Sequence, residues 1–408
     1  MSDPPPADPV PQASLDALYA PVLGAGLRRA ADRIEEMHQA IARHSFDPLQ
    51  KIPGLAVPTR IVQGVHDAIA QGVYAAVRHG SGAAFALAGQ VERLATDTTR
   101  ELSGGERILR NALNGAAGDA LAQAGSGFAI TMGLYANGRA LDADAAAHLR
   151  PRCVIFLHGL ACDEQSWCID RAAWADAGGE TLPGGATRPS YGTMLEAERA
   201  LSAVFLRYNS GLSIADNARR FDRLLDGLAI AAPQVREWVL VGHSMGGLVA
   251  REACAVASAG PSRWLPRVAQ LICLGSPHQG APLEQLGELT SIALGASEVT
   301  KPIGRIGAGR SRGIKDLRHG LQRSGAAKAA PAARTIPLRL IAARLGSAND
   351  GAIARWFGNL VGDGLVSASS AVDHGRAGDV ERVELDDLGH MALLQHPRVL
   401  AELRRWIA

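Results

Sequence analysis

Residues 239–251 read V-L-V-G-H-S-M-G-G-L-V-A-R. A β-branched apolar run, 238–241, meets Gly242-His243-Ser244-Met245-Gly246, and a helix-compatible segment from Gly247 onward follows at once. The stretch therefore predicts strand, sharp turn and helix. A turn this tight strains the backbone of its central residue and needs small neighbours, and glycines stand two residues before and two after Ser244. It would lift the Ser244 hydroxyl above a sheet edge and aim the first amides of the helix at the same space, where negative charge on oxygen can be held. G-x-S-x-G also arises by chance, so the rest of the chain has to decide.

Outward from this stretch, short buried-strand patterns at 153–157, 203–208, 271–274, 338–342 and 380–385 alternate with helical ones. That alternation predicts a mainly parallel sheet with helices on both faces, whose reactive residues gather at the carboxyl ends of the strands. The clearest helix starts after Ser213, with Ser213 and Asp216 as its cap and Ile214, Ala218, Phe221, Leu225 and Leu228 on one face. A helix is predicted over 101–124, a strand over 128–134 and a hairpin turn at Ala136-Asn137-Gly138.

The loops after the strands supply the partners a serine needs. His158-Gly159-Leu160 follows the first buried strand, and the amides of Leu160 and Met245 are placed to form an oxyanion hole. A hydroxyl needs a base, and the base a carboxylate to orient it. His390, in D-D-L-G-H after the last strand and before a closing helix with Leu400, Leu403, Trp406 and Ile407, is the expected base; His396 reads as a cap. Asp363, in V-G-D-G-L-V after the penultimate strand, is the preferred acid over Asp350, which lies in a plain turn sequence. His243 sits within the turn, which would point it away from the catalytic side and disqualifies it as the base. With His158 and Gly159 it is expected among the substrate contacts. The order Ser, Asp, His differs from both the chymotrypsin and the subtilisin orders.

The pieces F-L-H-G-L (156–160), V-G-H-S-M-G-G-L-V-A-R (241–251), L-G-S-P-H-Q-G-A-P (274–282), G-D-G-L-V (362–366) and G-H (389–390) together resemble bacterial lipases and esterases of the α/β-hydrolase superfamily. Within it they are similar to the inositol-deacylase (PGAP1-like) and triacylglycerol-lipase branch. The resemblance covers about 127–408. It implies an α/β-hydrolase fold, a triad of Ser244, Asp363 and His390, and carboxylic ester hydrolysis through an acyl-enzyme on an apolar or lipid-like substrate. An acyltransferase using the same triad and an inert scaffold are the competing readings. A cap or lid is expected over 282–331, with Leu286, Leu289, Ile292 and Leu294 as its apolar underside. Its second half is basic: Lys301, Arg305, Arg310, Arg312, Lys315, Arg318, Arg323 and Lys328 stand against Asp316. A solvated face is the plain reading; attraction of anionic head groups, as peripheral membrane contact, is the alternative.

Ahead of the hydrolase-like region, residues 1–12 carry five prolines and read as a disordered tail, and 13–100 as a helical extension. Ile61, Val65, Ile69, Val73 and Val77 form a stripe on one helical face, suited to packing on protein. A formal charge of +2 recommends no nucleic acid. Five cysteines, with neither C-x-x-C nor metal-ligand spacing, and a first stretch unlike a signal peptide lead us to expect a reduced cytoplasmic protein with no metal or cofactor.

Overall fold

The computed structural model describes residues 104–408, apart from 124, 126, 183–187, 281–310, 318, 321–335, 345–365, 367–369, 372 and 374–377. The chain separates into two units, Met1–Arg100 and Glu101–Ala408, and the described residues all belong to the second. The proline-rich tail, the helical extension and most of the expected lid lie outside the described residues.

Eight strands form one sheet: β1 (Gly133–Ala136), β2 (Arg139–Ala140), β3 (Arg152–Leu157), β4 (Leu201–Arg207), β5 (Glu237–His243), β6 (Val268–Leu274), β7 (Leu338–Arg344) and β8 (Val380–Asp386). Their spatial order is β2-β1-β4-β3-β5-β6-β7-β8. All pairs from β4 to β8 are parallel, and only the β1–β2 hairpin and the β1–β4 pair are antiparallel. The hairpin turns on Asn137 (φ 50°) and Gly138 (φ 78°), the positive pair that a two-residue turn of this hand requires. The helices are α1 (Gly104–Gln123), α2 (Ala143–Ala147), α3 (Arg171–Asp176), α4 (Tyr191–Glu198), α5 (Ile214–Ala231), α6 (Met245–Ser258), α7 (Arg312–Leu317) and α8 (Pro397–Trp406).

The two-residue period of the strands sorts their side chains onto two cores. Cys153, Ile155 and Leu157 of β3 pack with Phe221, Leu225 and Leu228 of α5 and Leu248, Val249 and Ala253 of α6. Their neighbours Val154 and Phe156 face the other way, into a core with Val239 and Val241, Met194 and Leu195 of α4, and Val399, Leu400 and Leu403 of α8. Both ladder faces are thus buried, which is why these strands carry continuous apolar runs. The predicted caps form: Ser213 Oγ accepts from the Asp216 amide at 3.0 Å, and His396 Nδ1 accepts from the Arg398 amide at 3.2 Å, just before Pro397.

The strand expected over 128–134 is corrected. It begins only at Gly133, because the buried Asn114 side chain of α1 takes the backbone ahead of it: Asn114 Nδ2 donates to the Phe128 carbonyl (2.7 Å) and Asn114 Oδ1 accepts from the Ile130 amide (2.9 Å). Those groups cannot also serve a strand ladder. The helix predicted over 101–124 forms, with non-helical backbone at Ala117 (φ −142°).

The chain runs from β3 outward to β4, then returns past β3 to β5 and continues in the other direction. This reversal is the topological switch point of the sheet, at the carboxyl ends of β3 and β5, where doubly wound sheets place their ligands.

Candidate active site

At that switch point β5 ends on His243 and α6 begins on Met245, leaving Ser244 alone between them at φ 52°, ψ −122°. A non-glycine residue held there costs on the order of 1–3 kcal/mol and persists only where its surroundings over-determine it. Three contacts do so. The Ser244 amide donates to the Leu274 carbonyl at the end of β6 (2.8 Å), and its own carbonyl accepts from Gly247 (3.1 Å). Gly246 brings α6 against the end of β3 so closely that a Cβ on it would lie 2.5 Å from the His158 carbonyl oxygen and nearer still to that of Leu157. Ser244 is fully buried, and its Oγ makes no hydrogen bond to the described residues.

The loop after β3 lies directly over this serine. A Cβ on Gly159 would stand 3.1 Å from Ser244 Cβ and 3.0 Å from His243 Nδ1. Ala161 (φ 54°) donates its amide to Ser210 Oγ at 2.9 Å, and Gly115 of α1 abuts its methyl group. Among the described residues no protein acceptor takes the amide hydrogens of Leu160 or Met245, the two expected oxyanion donors. Helix α1 therefore braces the loop that contains Leu160.

His158 is not placed to meet a substrate. Its Nδ1–H donates to the Gly159 carbonyl (2.8 Å), its Nε2 accepts from the Tyr208 amide (3.2 Å), and its ring stacks on Tyr208 with centroids 4.2 Å apart. Both nitrogens are used within the protein, and burial keeps the imidazole below its usual pKa and neutral. Gly159 does border the serine, but with backbone alone.

His390 opens the 3₁₀ turn His390–Leu394 after β8 and is 2% exposed. Its ring lies 4.7 Å, centroid to centroid, from that of His243, and its carbonyl accepts from His243 Nε2–H at 3.2 Å. The sequence reading that turned His243 away from the catalytic side is corrected here. The ring is turned toward His390, whose 3₁₀ turn after β8 lies against it. Asp363 and Asp350 lie outside the described residues.

A strained serine at the switch point of a mainly parallel sheet, under the loop after β3 and preceded by a histidine that lies against His390 from beyond the last strand, decides the architecture. The chain carries the α/β-hydrolase fold. The family model for the PGAP1-like alpha/beta domain matches residues 218–301, the segment around the Ser244 turn. No curated protein matches the chain. Among solved structures, the mature lipase BlEst2 of Bacillus licheniformis is similar at 18% identity over 67% of this chain and 97% of its own, TM-score 0.43. Naproxen esterase of Bacillus subtilis is similar at 12% identity over 76% and 100%, TM-score 0.39. A thermophilic esterase of Thermogutta terrifontis follows at 15% over 62% and 89%, TM-score 0.37.

Two charged groupings around this candidate site are not legible in the sequence. Glu164, 4% exposed, takes Arg207 in a two-pronged pair (2.6 and 2.5 Å), and Arg207 also reaches the Tyr135 hydroxyl at 2.7 Å. Arg251 of α6 donates from Nη1 to His278 Nδ1 (2.7 Å) and pairs with Asp373 (2.9 Å), joining S-P-H-Q-G to the approach to β8. Neither is legible from spacing, because the partners lie 43 and 122 residues apart. Of the expected lid, α7 is described: Ile314 and Leu317 are buried, and the exposed Arg312 pairs with Asp119 and Asp216. Among the described residues no His, Cys, Asp and Glu cluster could hold a metal, no helix is long and apolar enough to cross a membrane, and none of the five cysteines is in a disulfide.

Burial alone would raise the Glu164 pKa, but the Arg207 hydrogen bonds and charge outweigh it and hold it below the usual value. The unfolded state therefore takes up the proton first as pH falls. The stabilisation is complete above the unfolded pKa, about 4.3, and is lost as pH falls through the folded one. Glu164→Gln is expected to cost about 2 kcal/mol at pH 7 in urea unfolding, because it leaves a half-buried guanidinium without its counter-charge. The variant should also lose part of the wild-type fall in stability below pH 4.5; an unchanged acid limb would count against this pairing.

Proposed function

We propose that this protein is a serine hydrolase that cleaves carboxylic esters with an apolar acyl or alcohol portion. The observation that carries this reading is Ser244 at φ 52°, buried, with no hydrogen bond from its hydroxyl to the described residues, beside the loop of Leu160 and next in the chain to His243, whose ring lies against that of His390. In this reading His390 takes the Ser244 proton as Oγ attacks the ester carbonyl. The developing oxyanion is held by the amides of Leu160 and Met245, each donor contributing about 3 kcal/mol to the barrier reduction. His390 then returns the proton to the leaving alcohol, and in the second half-reaction it activates the water that releases the acid. Asp363 would orient the His390 imidazole. Strain at Ser244 suits this role, since it fixes Oγ without a hydrogen bond that would have to break before attack.

The test is covalent. A fluorophosphonate probe should label the protein stoichiometrically, and peptide mapping should place the adduct on Ser244. A p-nitrophenyl ester series from acetate to palmitate, with and without a lipid interface, then ranks the acyl chain. Labelling at another residue, or none in a protein that turns over esters, would refute the assignment.

A further inference from the structure

The His243 side chain touches several parts of the site. It precedes Ser244 in the chain. Its Nε2–H donates to the His390 carbonyl at 3.2 Å, with the two rings 4.7 Å apart. Its Nδ1 lies 3.0 Å from where a Gly159 Cβ would be, against the loop of Leu160, and Trp167 meets its ring edge-on at 6.4 Å between centroids. It is 1% exposed, as buried as Ser244 and His390 beside it. Burial, with His390 next, holds its pKa well below the ordinary value, so the ring is neutral and carries a single proton. A carbonyl oxygen accepts, so that proton must sit on Nε2 and Nδ1 is a bare acceptor, which takes no hydrogen bond from the described residues.

We propose that His243 is a positioning residue that fixes the backbone of His390 relative to Ser244. Nε2–H holds the His390 carbonyl, while the strained turn holds the His243 backbone one residue from the nucleophile. The distance between nucleophile and base is thereby set through one side chain and one hydrogen bond rather than through the length of the β8 loop. His390 follows the turn at Asp387 (φ 56°) and Gly389, and this bond ties the start of its 3₁₀ turn to the end of β5. Misplacement of a reacting group by about 1 Å costs on the order of a hundredfold in rate.

This inference rests on the serine-hydrolase reading, and the experiment separates the two. His243→Phe keeps a ring in the slot and removes the donor, whereas His243→Gln restores a donor near Nε2 and His243→Asn restores one only near Nδ1. The expected result is a kcat about ten- to a hundredfold down in the Phe and Asn variants, with KM within about threefold of wild type, and recovery of most of kcat in the Gln variant. A donor that only supported the fold would instead lower melting temperature in step with activity and show no preference for Gln over Asn. Wild-type kcat in the Phe variant, or equal loss in Gln and Asn, would overturn the proposal; if the Phe variant does not fold, the Gln and Asn pair decides. Ester turnover that survives Ser244→Ala would instead remove the reading beneath it.

Discussion

Ser244→Ala is expected to lower ester turnover by about 10,000-fold or more and to abolish fluorophosphonate labelling, while leaving the folded protein intact. The size follows from the role: without Oγ no acyl-enzyme forms, and only the binding and oxyanion groups remain to assist direct attack by water. Ser244→Gly sharpens the test, because it removes the same atom and also the strain. Alanine at φ 52°, ψ −122° keeps the Cβ that makes this conformation costly; glycine does not. The Gly variant should therefore be as inactive as the Ala variant yet about 1 kcal/mol more stable in chemical unfolding. Stability spent on holding a reactive atom would be recovered once that atom is gone. If Gly proved less stable than Ala, the turn would be unstrained, and the account of how Ser244 is presented would fail.

The second large effect is expected at Gly246. A methyl group there would collide with the carbonyl oxygens of Leu157 and His158, backbone atoms of a central strand that cannot turn aside as a side chain would. Gly246→Ala must push α6 away from β3. The cost is about 3 kcal/mol of stability. Activity should fall by about a hundredfold or more even in the molecules that fold, because the same displacement moves the Met245 amide and Ser244 away from the loop over them. Thermal melting and active-site titration at a temperature well below the transition separate the two losses. Wild-type stability in Gly246→Ala would mean that α6 does not approach β3 as closely as described.

The sequence reached a long way because much of this fold is written in local chemistry. Continuous apolar runs such as 238–241 mark strands buried on both faces, Ser213 and Asp216 mark a helix start, and Asn137-Gly138 marks a tight hairpin. Each is decided within a few residues, so each is legible. The turn around Ser244 is legible for the same reason: two glycines flank a serine where only small residues fit.

Pairings between distant segments were not legible. Asn114 takes the backbone of Phe128 and Ile130 and shortens β1, Glu164 meets Arg207 and Arg251 meets His278 and Asp373 only because the sheet brings them together. His243 is the clearest case. Its position in the chain was plain, but its direction depends on where the loop after β8 lands, and that loop is held by the Leu388 amide on the Arg344 carbonyl and by Leu388, Leu393 and Leu394 in the core that α8 shares. By itself the sequence determined the strands, the helix starts and the serine-bearing turn, because each rests on the conformational limits of a few neighbouring residues. Only the tertiary structure decided that His158 is tied into the core and His243 turned onto His390, because burial and hydrogen-bond partners belong to the assembled molecule.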